Sequence, residues 1–291
     1  MKKEIKQINK ELGLVRITTL DERWYAKVSK DEKTGLPIYE YFPSSTWIAS
    51  YYYTSPYLIK WIADKGLTEA EAIKQAAGDK GSKVHYACGD IDEGKEIKID
   101  ATYLNHTTNQ QEELTQEEID CIMSYTKFVD EYKPYLLANE LTAFGQIEGH
   151  TAYGGTLDKI FATPMKQMPD GSKFREIWIL DIKTSSSVRK SHELQISSYS
   201  HMDIDYKALG ITDEEWENRK LFVLQVGYKR NKNGYKLTEI QDKFELFCDI
   251  AYKTFKEENS DIKPQQKDYP LVLKSEFRTK KVEEKIKKIK K

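Results

Sequence analysis

Ile177-Trp178-Ile179-Leu180 is a short apolar run, rich in β-branched and aromatic residues, that ends on Asp181-Ile182-Lys183. Such a run reads as a buried strand. Side chains alternate faces along a strand, so residues i and i+2 project together. Asp181 and Lys183 therefore emerge side by side at its end. A carboxylate and an ammonium placed in this way can hold a divalent cation and activate a water beside it.

A second run brings another acid to the same place. Residues 153–162 have strand character, and Pro169-Asp170-Gly171-Ser172 between the two runs is a strong turn signal. A hairpin through that turn lays the strands antiparallel. Asp158 lies 12 residues before Asp170 and Asp181 lies 11 after it, so the carboxylates sit nearly level. Two hard oxygen ligands facing one pocket suit Mg²⁺ or Mn²⁺. An exposed hairpin with a cross-strand Asp–Lys pair would give the same tripeptide, because Asp-x-Lys arises often by chance. The ordered set of elements, closed by a polar helix, favours a site.

That set is Gly154-Gly155-Thr156-Leu157-Asp158, then Asp181-Ile182-Lys183-Thr184-Ser185, then Gln195-Ile196-Ser197-Ser198-Tyr199. It resembles the successive motifs of the PD-(D/E)XK nuclease superfamily, in its RecB-like and phage-type exonuclease branch. Upstream, Pro43-Ser44-Ser45-Thr46, Trp61-Ile62-Ala63 and Gly81-Ser82-Lys83-Val84-His85 resemble the helical lead-in of phage-type members, so the likeness runs from about Pro43 to Phe247. The resemblance implies an α/β (α+β mixed) fold, with a central mixed β-sheet flanked by helices. That is a restriction-endonuclease-like core behind a helical N-terminal lead-in.

By the same resemblance, His85, Asp158 and Asp181 bind Mg²⁺ or Mn²⁺ with help from the backbone carbonyl of Ile182. Lys183 orients or activates the attacking water, and Gln195 and Tyr199 brace the site or the DNA backbone. The implied activity is metal-dependent hydrolysis of DNA phosphodiesters, most simply by an exonuclease in recombination, repair or phage replication. An endonuclease of the superfamily and a non-catalytic DNA-binding member of the fold are the alternatives. Implied partners are DNA, a single-strand annealing or recombination protein, and further copies in an oligomer. Two departures stand out. Leu157 replaces the proline of the superfamily's name, and Cys88, Cys121 and Cys248 lack the four-cysteine spacing of an iron–sulfur cluster, so none is expected.

Three scattered cysteines in 291 residues suggest a reducing compartment. Met1-Lys2-Lys3-Glu4-Ile5-Lys6 lacks the apolar stretch of a signal peptide, and no apolar run approaches the ~20 residues of a membrane helix. The expectation is an intracellular, cytoplasmic protein without membrane contact, in host cytoplasm if phage-encoded. Net charge is −1, but residues 274–291 hold nine Lys or Arg against three Glu, a local +6 that leaves −7 elsewhere. Such a tail can add sequence-independent affinity for DNA.

Along the chain, residues 1–45 are predicted as an N-terminal β-hairpin region, pairing 23–28 with 37–42 across a turn at 31–35. Residues 46–260 are assigned to the nuclease domain, with the helical lead-in over 46–137 and the catalytic core over 138–260; the basic tail takes 261–291. Thr68-Glu69-Ala70-Glu71 matches a capping box. Ala70, Ala77, Gly81 and His85 then form a small-residue stripe that would bring the helix close to the sheet. Helices are also predicted over 112–132, 189–206 and 240–256, and strands over 141–148, 221–228 and 235–240. Glu140 reads first as an edge-strand charge, with a secondary acidic role at the site as the alternative, and His150 as a residue of a polar turn. His192, Gln195 and Tyr199 share one helix face.

Overall fold

The computed structural model describes residues 4–18, 23–53, 55–105 and 107–259; the predicted basic tail lies outside them. Strands β1 (Glu4–Asn9), β2 (Leu14–Thr18), β3 (Arg23–Lys30) and β4 (Pro37–Phe42) form an antiparallel sheet in that order. The expected hairpin is β3–β4, and the Asp31 carboxylate closes its turn by accepting the amides of Lys33 and Thr34. Helix α1 (Ser45–Tyr52) starts at Ser44, whose hydroxyl accepts from the Trp47 amide. Pro56 opens α2 (Pro56–Lys65), where a missing N–H costs nothing.

Helix α3 (Leu67–Asp92) carries the upstream histidine, and two expectations about it are corrected. Its N-cap is Gly66, at φ 79°, and the Thr68–Glu71 box is not formed. The small-residue stripe does not mediate the approach to the sheet: Ala77 is exposed and nothing lies within 4 Å of a Cβ built on Gly81. The buried side carries Val84, Ala87 and Cys88 instead. Close approach comes later, at Gly89, where a Cβ would meet Asn139 Nδ2 at 3.1 Å.

A short ribbon of β5 (Thr102–Asn105) and β6 (Gln110–Glu113) occupies the stretch where the helix over 112–132 was expected to start. Helix α4 (Gln116–Tyr132) begins at a capping box of Thr115 and Glu118 and stops at Lys133 in the left-handed region, before Pro134.

The main sheet is built from β7 (Tyr135–Ile147), β8 (His150–Ala162), β11 (Ile177–Lys183), β12 (Lys220–Val226) and β13 (Tyr235–Ile240), after a small ribbon of β9 (Lys166–Gln167) and β10 (Lys173–Phe174) at the tip of the β8–β11 connection. Its order is β13-β12-β11-β8-β7. Only β11 and β12 run parallel, so the sheet is mixed. A parallel pair needs a crossover, which here runs through α5 (Lys190–Ser200) and α6 (Asp213–Glu217). Helix α5 is shorter than predicted. After Ser200 the chain turns back to the sheet, where Met202 bridges Gly145 and the Asp203 amide donates to the Phe144 carbonyl.

Helices cover both faces, which is why β11 is apolar at every position before Asp181. Trp178, Leu180 and Ile182 pack with Val84 and Cys88 of α3 and Cys121, Tyr125 and Phe128 of α4. On the opposite face Ile179 meets Ile196 of α5. Leu157 and Ile160 join a core with α1 and the final helical segment, which runs through α7 (Phe244–Leu246), a π-helical stretch (Phe247–Tyr252) and α8 (Lys253–Glu258). The N-terminal sheet closes over β7 and β8: Tyr25 meets Phe144 edge-on, and its ring fills the space a Cβ at Gly154 would need. No described helix is long and apolar enough to cross a membrane.

One buried cation fastens α3 to the sheet. Lys159 Nζ lies 2.5 Å from Asp92 Oδ2 and 2.8 Å from Asn139 Oδ1, and Tyr125 Oη donates to both Asp92 oxygens at 2.8 Å. The Lys159 and Asp92 side chains are 2% and 3% exposed, so removing one partner strands a desolvated charge. Lys159→Ala should therefore cost about 3–5 kcal/mol in urea unfolding. A loss under about 1 kcal/mol would mean that this network does not hold α3 in place.

Candidate metal centre

The site forms where the β8–β11 ladder ends. Ile177 pairs with Ala162 and Leu180 with Lys159. One step further, the same register sets Asp181 opposite Asp158, level as the turn positions imply. The backbone ladder stops there, because the Ile182 amide donates 2.7 Å to Asp158 Oδ2 instead of to a carbonyl. Both acids are buried, at 9% and 1% exposure.

Helix α3 delivers His85 to this point. Its Nδ1 lies 3.5 Å from Asp158 Oδ1, and its Nε2 lies 3.1 Å from the Ile182 carbonyl oxygen. A carbonyl only accepts, so Nε2 carries the proton of this contact and Nδ1 is the nitrogen turned toward the acids. The Ile182 carbonyl, which the resemblance implies as a metal ligand, accepts from the imidazole here and orients its ring.

Glu140, for which a secondary acidic role is the alternative to an edge-strand charge, lies with these groups. It stands across β7 from Asp158, between the pairs Asn139–Lys159 and Leu141–Leu157, with its backbone at φ 50°. Left-handed backbone at a non-glycine residue costs on the order of 1–3 kcal/mol and collects at functional positions. Its Oε1 is 3.8 Å from His85 Nδ1. A signal for it existed. Glu148 and Gly149, both at positive φ, make a two-residue turn that pairs Ile147 with His150, and counting back from that turn brings Glu140 level with Asp158 to within one residue. The turn is Glu-Gly rather than the commoner Asn-Gly or Asp-Gly, which weakens its signal in the sequence. His150 itself is exposed at the start of β8, away from the acids.

Lys183 projects beside Asp181, with Nζ 2.8 Å from Oδ2 and a hydrogen bond of 3.0 Å to Oδ1. Burial pulls its pKa down, but the Asp181 and Asp158 carboxylates outweigh burial and the net shift is upward, so it stays an ammonium. Burial also lowers His85, and Asp158 and Glu140 more than compensate. Asp158 is pushed up to about 6, mainly by burial, with Asp181 adding to the rise and His85 opposing it.

These donors fit a hard divalent cation. One ligand atom each from His85, Glu140 and Asp158 lies within 4.8 Å of the others. Asp181 Oδ2 is buried and takes no hydrogen bond among the described residues, and the Lys183 ammonium lies 2.8 Å from it as an ion pair. Carboxylate oxygens with one imidazole suit Mg²⁺ or Mn²⁺.

Gln195 and Tyr199 turn inward. Gln195 Nε2 donates 2.7 Å to Tyr199 Oη, which lies 3.4 Å from Thr46 Oγ1 of α1. The Tyr199 ring also occupies the space a Cβ on Gly155 would need. They brace α5 against α1 and β8, and both are buried. His192, on the same helix face, has its pKa lowered to about 4 by burial and then by the Lys183 charge, which keeps it neutral beside the site at neutral pH.

No protein-family model matches this chain, and no curated protein matches it.

The Asp158 shift sets a pH window. Its folded value lies above the unfolded one, so the metal-free fold is relatively favoured at low pH and loses that advantage as pH rises through about 6. A cation needs the ionised carboxylate and competes with that proton. The rise in Tm caused by saturating Mn²⁺ should be full at about pH 7.5 and should shrink steadily below about 6. An increment that stays constant down to about pH 5 would remove Asp158 as a ligand.

Proposed function

We propose that this chain is a metal-dependent DNA nuclease with a restriction-endonuclease-like core, acting as an exonuclease. The observation that carries the reading is the level pair of buried acids at the split between two strands, with the Lys183 ammonium on one and the His85 imidazole on the other. Function resides in such a site rather than in a sheet that many activities share.

When bound at His85, Glu140, Asp158 and Asp181, a divalent cation supplies Lewis-acid stabilisation of phosphate charge and a water of lowered pKa. The protein's own groups do the rest. Lys183, held by Asp181, presents ammonium protons to the attacking water or to a phosphate oxygen. The Ile182 carbonyl fixes the His85 ring, and the Gln195–Tyr199 brace holds α5 against β8 behind the acids.

Incubation with linear and with covalently closed circular DNA, with Mg²⁺, with Mn²⁺ and with chelator, tests the reading directly. Loss of linear DNA alone, abolished by chelator, is expected; cleavage of the closed circle would make the enzyme an endonuclease. Asp181→Asn removes a charge at nearly constant volume and should abolish hydrolysis in a folded protein. Near-normal turnover by that variant would end the nuclease assignment. Lys183→Ala should lose hydrolysis yet keep its calorimetric Mn²⁺ binding, because a protonated lysine is no ligand. If Mn²⁺ binding disappears with the ammonium, Lys183 builds the site instead of serving the chemistry.

A further inference from the structure

A cleft of about 510 Å³ opens beside the end of β11, on the α4 side of the sheet. Its volume falls within the ~300–1,000 Å³ of small-molecule sites. Four segments line it: Lys80 of α3, residues 117–127 of α4, the loop over residues 227–234, and Thr184 and Ser186 just beyond Lys183.

The walls are built rigidly. The Gly227 amide donates 2.9 Å to Ser124 Oγ, and a Cβ on Gly227 would sit 2.6 Å from Cys121 Sγ, so only glycine lets the loop press so closely on α4. Gly227 is also at φ 68°, where side chains are strained. The Asn231 carboxamide closes the loop by accepting from the Gly234 amide and donating to the Tyr235 carbonyl. Gln225 Nε2 donates 2.9 Å to the Ser185 carbonyl and ties the segment after Lys183 to β12. The cleft is therefore preformed.

Its charge runs against the rest of the molecule. Lys80, Lys127, Lys229 and Arg230 face Glu117 and Asp120, a local excess of two positive charges, whereas residues 1–273 sum to −7. Glu117 takes up Lys80 at 2.6 Å and Lys229 at 3.9 Å. Lys127 and Arg230 are exposed and form no ion pair or hydrogen bond among the described residues, and the Thr184 and Ser186 hydroxyls likewise have no partner there. An ammonium, a guanidinium and two hydroxyls around one cleft match the oxygens of phosphodiesters.

We propose that this cleft holds a single nucleic-acid strand next to the scissile phosphate, with Lys127 and Arg230 on its phosphates and Thr184 and Ser186 on the same backbone. The assignment rests on the nuclease reading, and what joins the cleft to the acids is the end of β11, where Thr184 follows Lys183 directly. A released nucleotide carries the same phosphate chemistry, so the test separates the two.

Fluorescence anisotropy of a labelled single-stranded oligonucleotide of about twelve nucleotides, in chelator, measures binding without hydrolysis. The full chain is compared with Lys127→Ala/Arg230→Ala and with a control, Lys10→Ala/Lys33→Ala, that removes the same charge from the N-terminal sheet. The cleft variant should bind at least about tenfold more weakly. Each lost contact to a single strand removes about 0.7 from the slope of log K against log salt, so its slope should be shallower by about 1.4. The control should match wild type. Wild-type affinity and slope in the cleft variant, or an equal loss in the control, overturn the proposal. So does a cleft variant that loses affinity for a nucleoside 5′-monophosphate yet keeps the oligonucleotide. Hydrolysis assayed in parallel judges the nuclease reading separately. A wild-type chain that binds the oligonucleotide through Lys127 and Arg230 but cuts nothing keeps the subsite and loses the nuclease.

Discussion

The hydrogen bond from the Ile182 amide to Asp158 Oδ2 is the interaction on which the candidate site depends. Up to Leu180 and Lys159, β8 and β11 pair through their backbones. Beyond that point a side chain replaces a carbonyl as acceptor, and the ladder ends with two acids facing each other across the gap. On its other edge β11 stays paired with β12 through Lys183. One strand edge is thus held while the other is released, and Asp181 and Lys183 project from backbone that cannot shift. A site on rigid strands keeps tighter geometry than one on loops.

The same region fixes the helix that supplies His85. Lys159 follows Asp158 in β8, and its ammonium is buried against Asp92 and Asn139. Asp92 lies seven residues after His85, two turns along the same side of α3. Gly89 lies between them, where an added Cβ would sit a tight 3.1 Å from Asn139 Nδ2. Neighbouring residues of β8 therefore do separate work. Asp158 meets the histidine, and Lys159, on the opposite face, anchors the helix that carries it. A buried ion pair contributes little net stability but fixes where its two elements lie, and here it sets the approach of an imidazole to a carboxylate.

Much of this was legible because the acids lie on strands joined by a connection with a clear turn signal. The period-2 alternation put Asp181 beside Lys183, and the turn position put Asp158 opposite Asp181. The helical boundaries were harder. Thr115 and Glu118 form a capping box, while Thr68 and Glu71, with the same chemistry, form none, because Gly66 already ends one helix and starts the next. Local spacing cannot rank two equal signals when the competing backbone turn is three-dimensional. Glu140 is harder to tell from an edge-strand charge for a related reason. Its place follows from an irregular register in β7 and a left-handed backbone angle that acidic side chains seldom adopt, neither of which composition displays.

The electrostatics of the site point in one direction. Glu140, Asp158 and Asp181 converge, with the Lys183 ammonium and the His85 imidazole beside them. Burial alone keeps Asp158 protonated more readily than an ordinary carboxylate, and Asp181 adds to that penalty. Glu140 contributes a left-handed backbone besides. A sheet chosen for stability alone would place apolar residues at these positions, as it does at Ile160 and Ile179 on the same strands. Strain and desolvated like charges concentrated at one point, in a core otherwise well packed, support the proposed cation site. On that proposal, entering positive charge offsets the cost, and the acids act as half of a binding equilibrium rather than as part of the folding core.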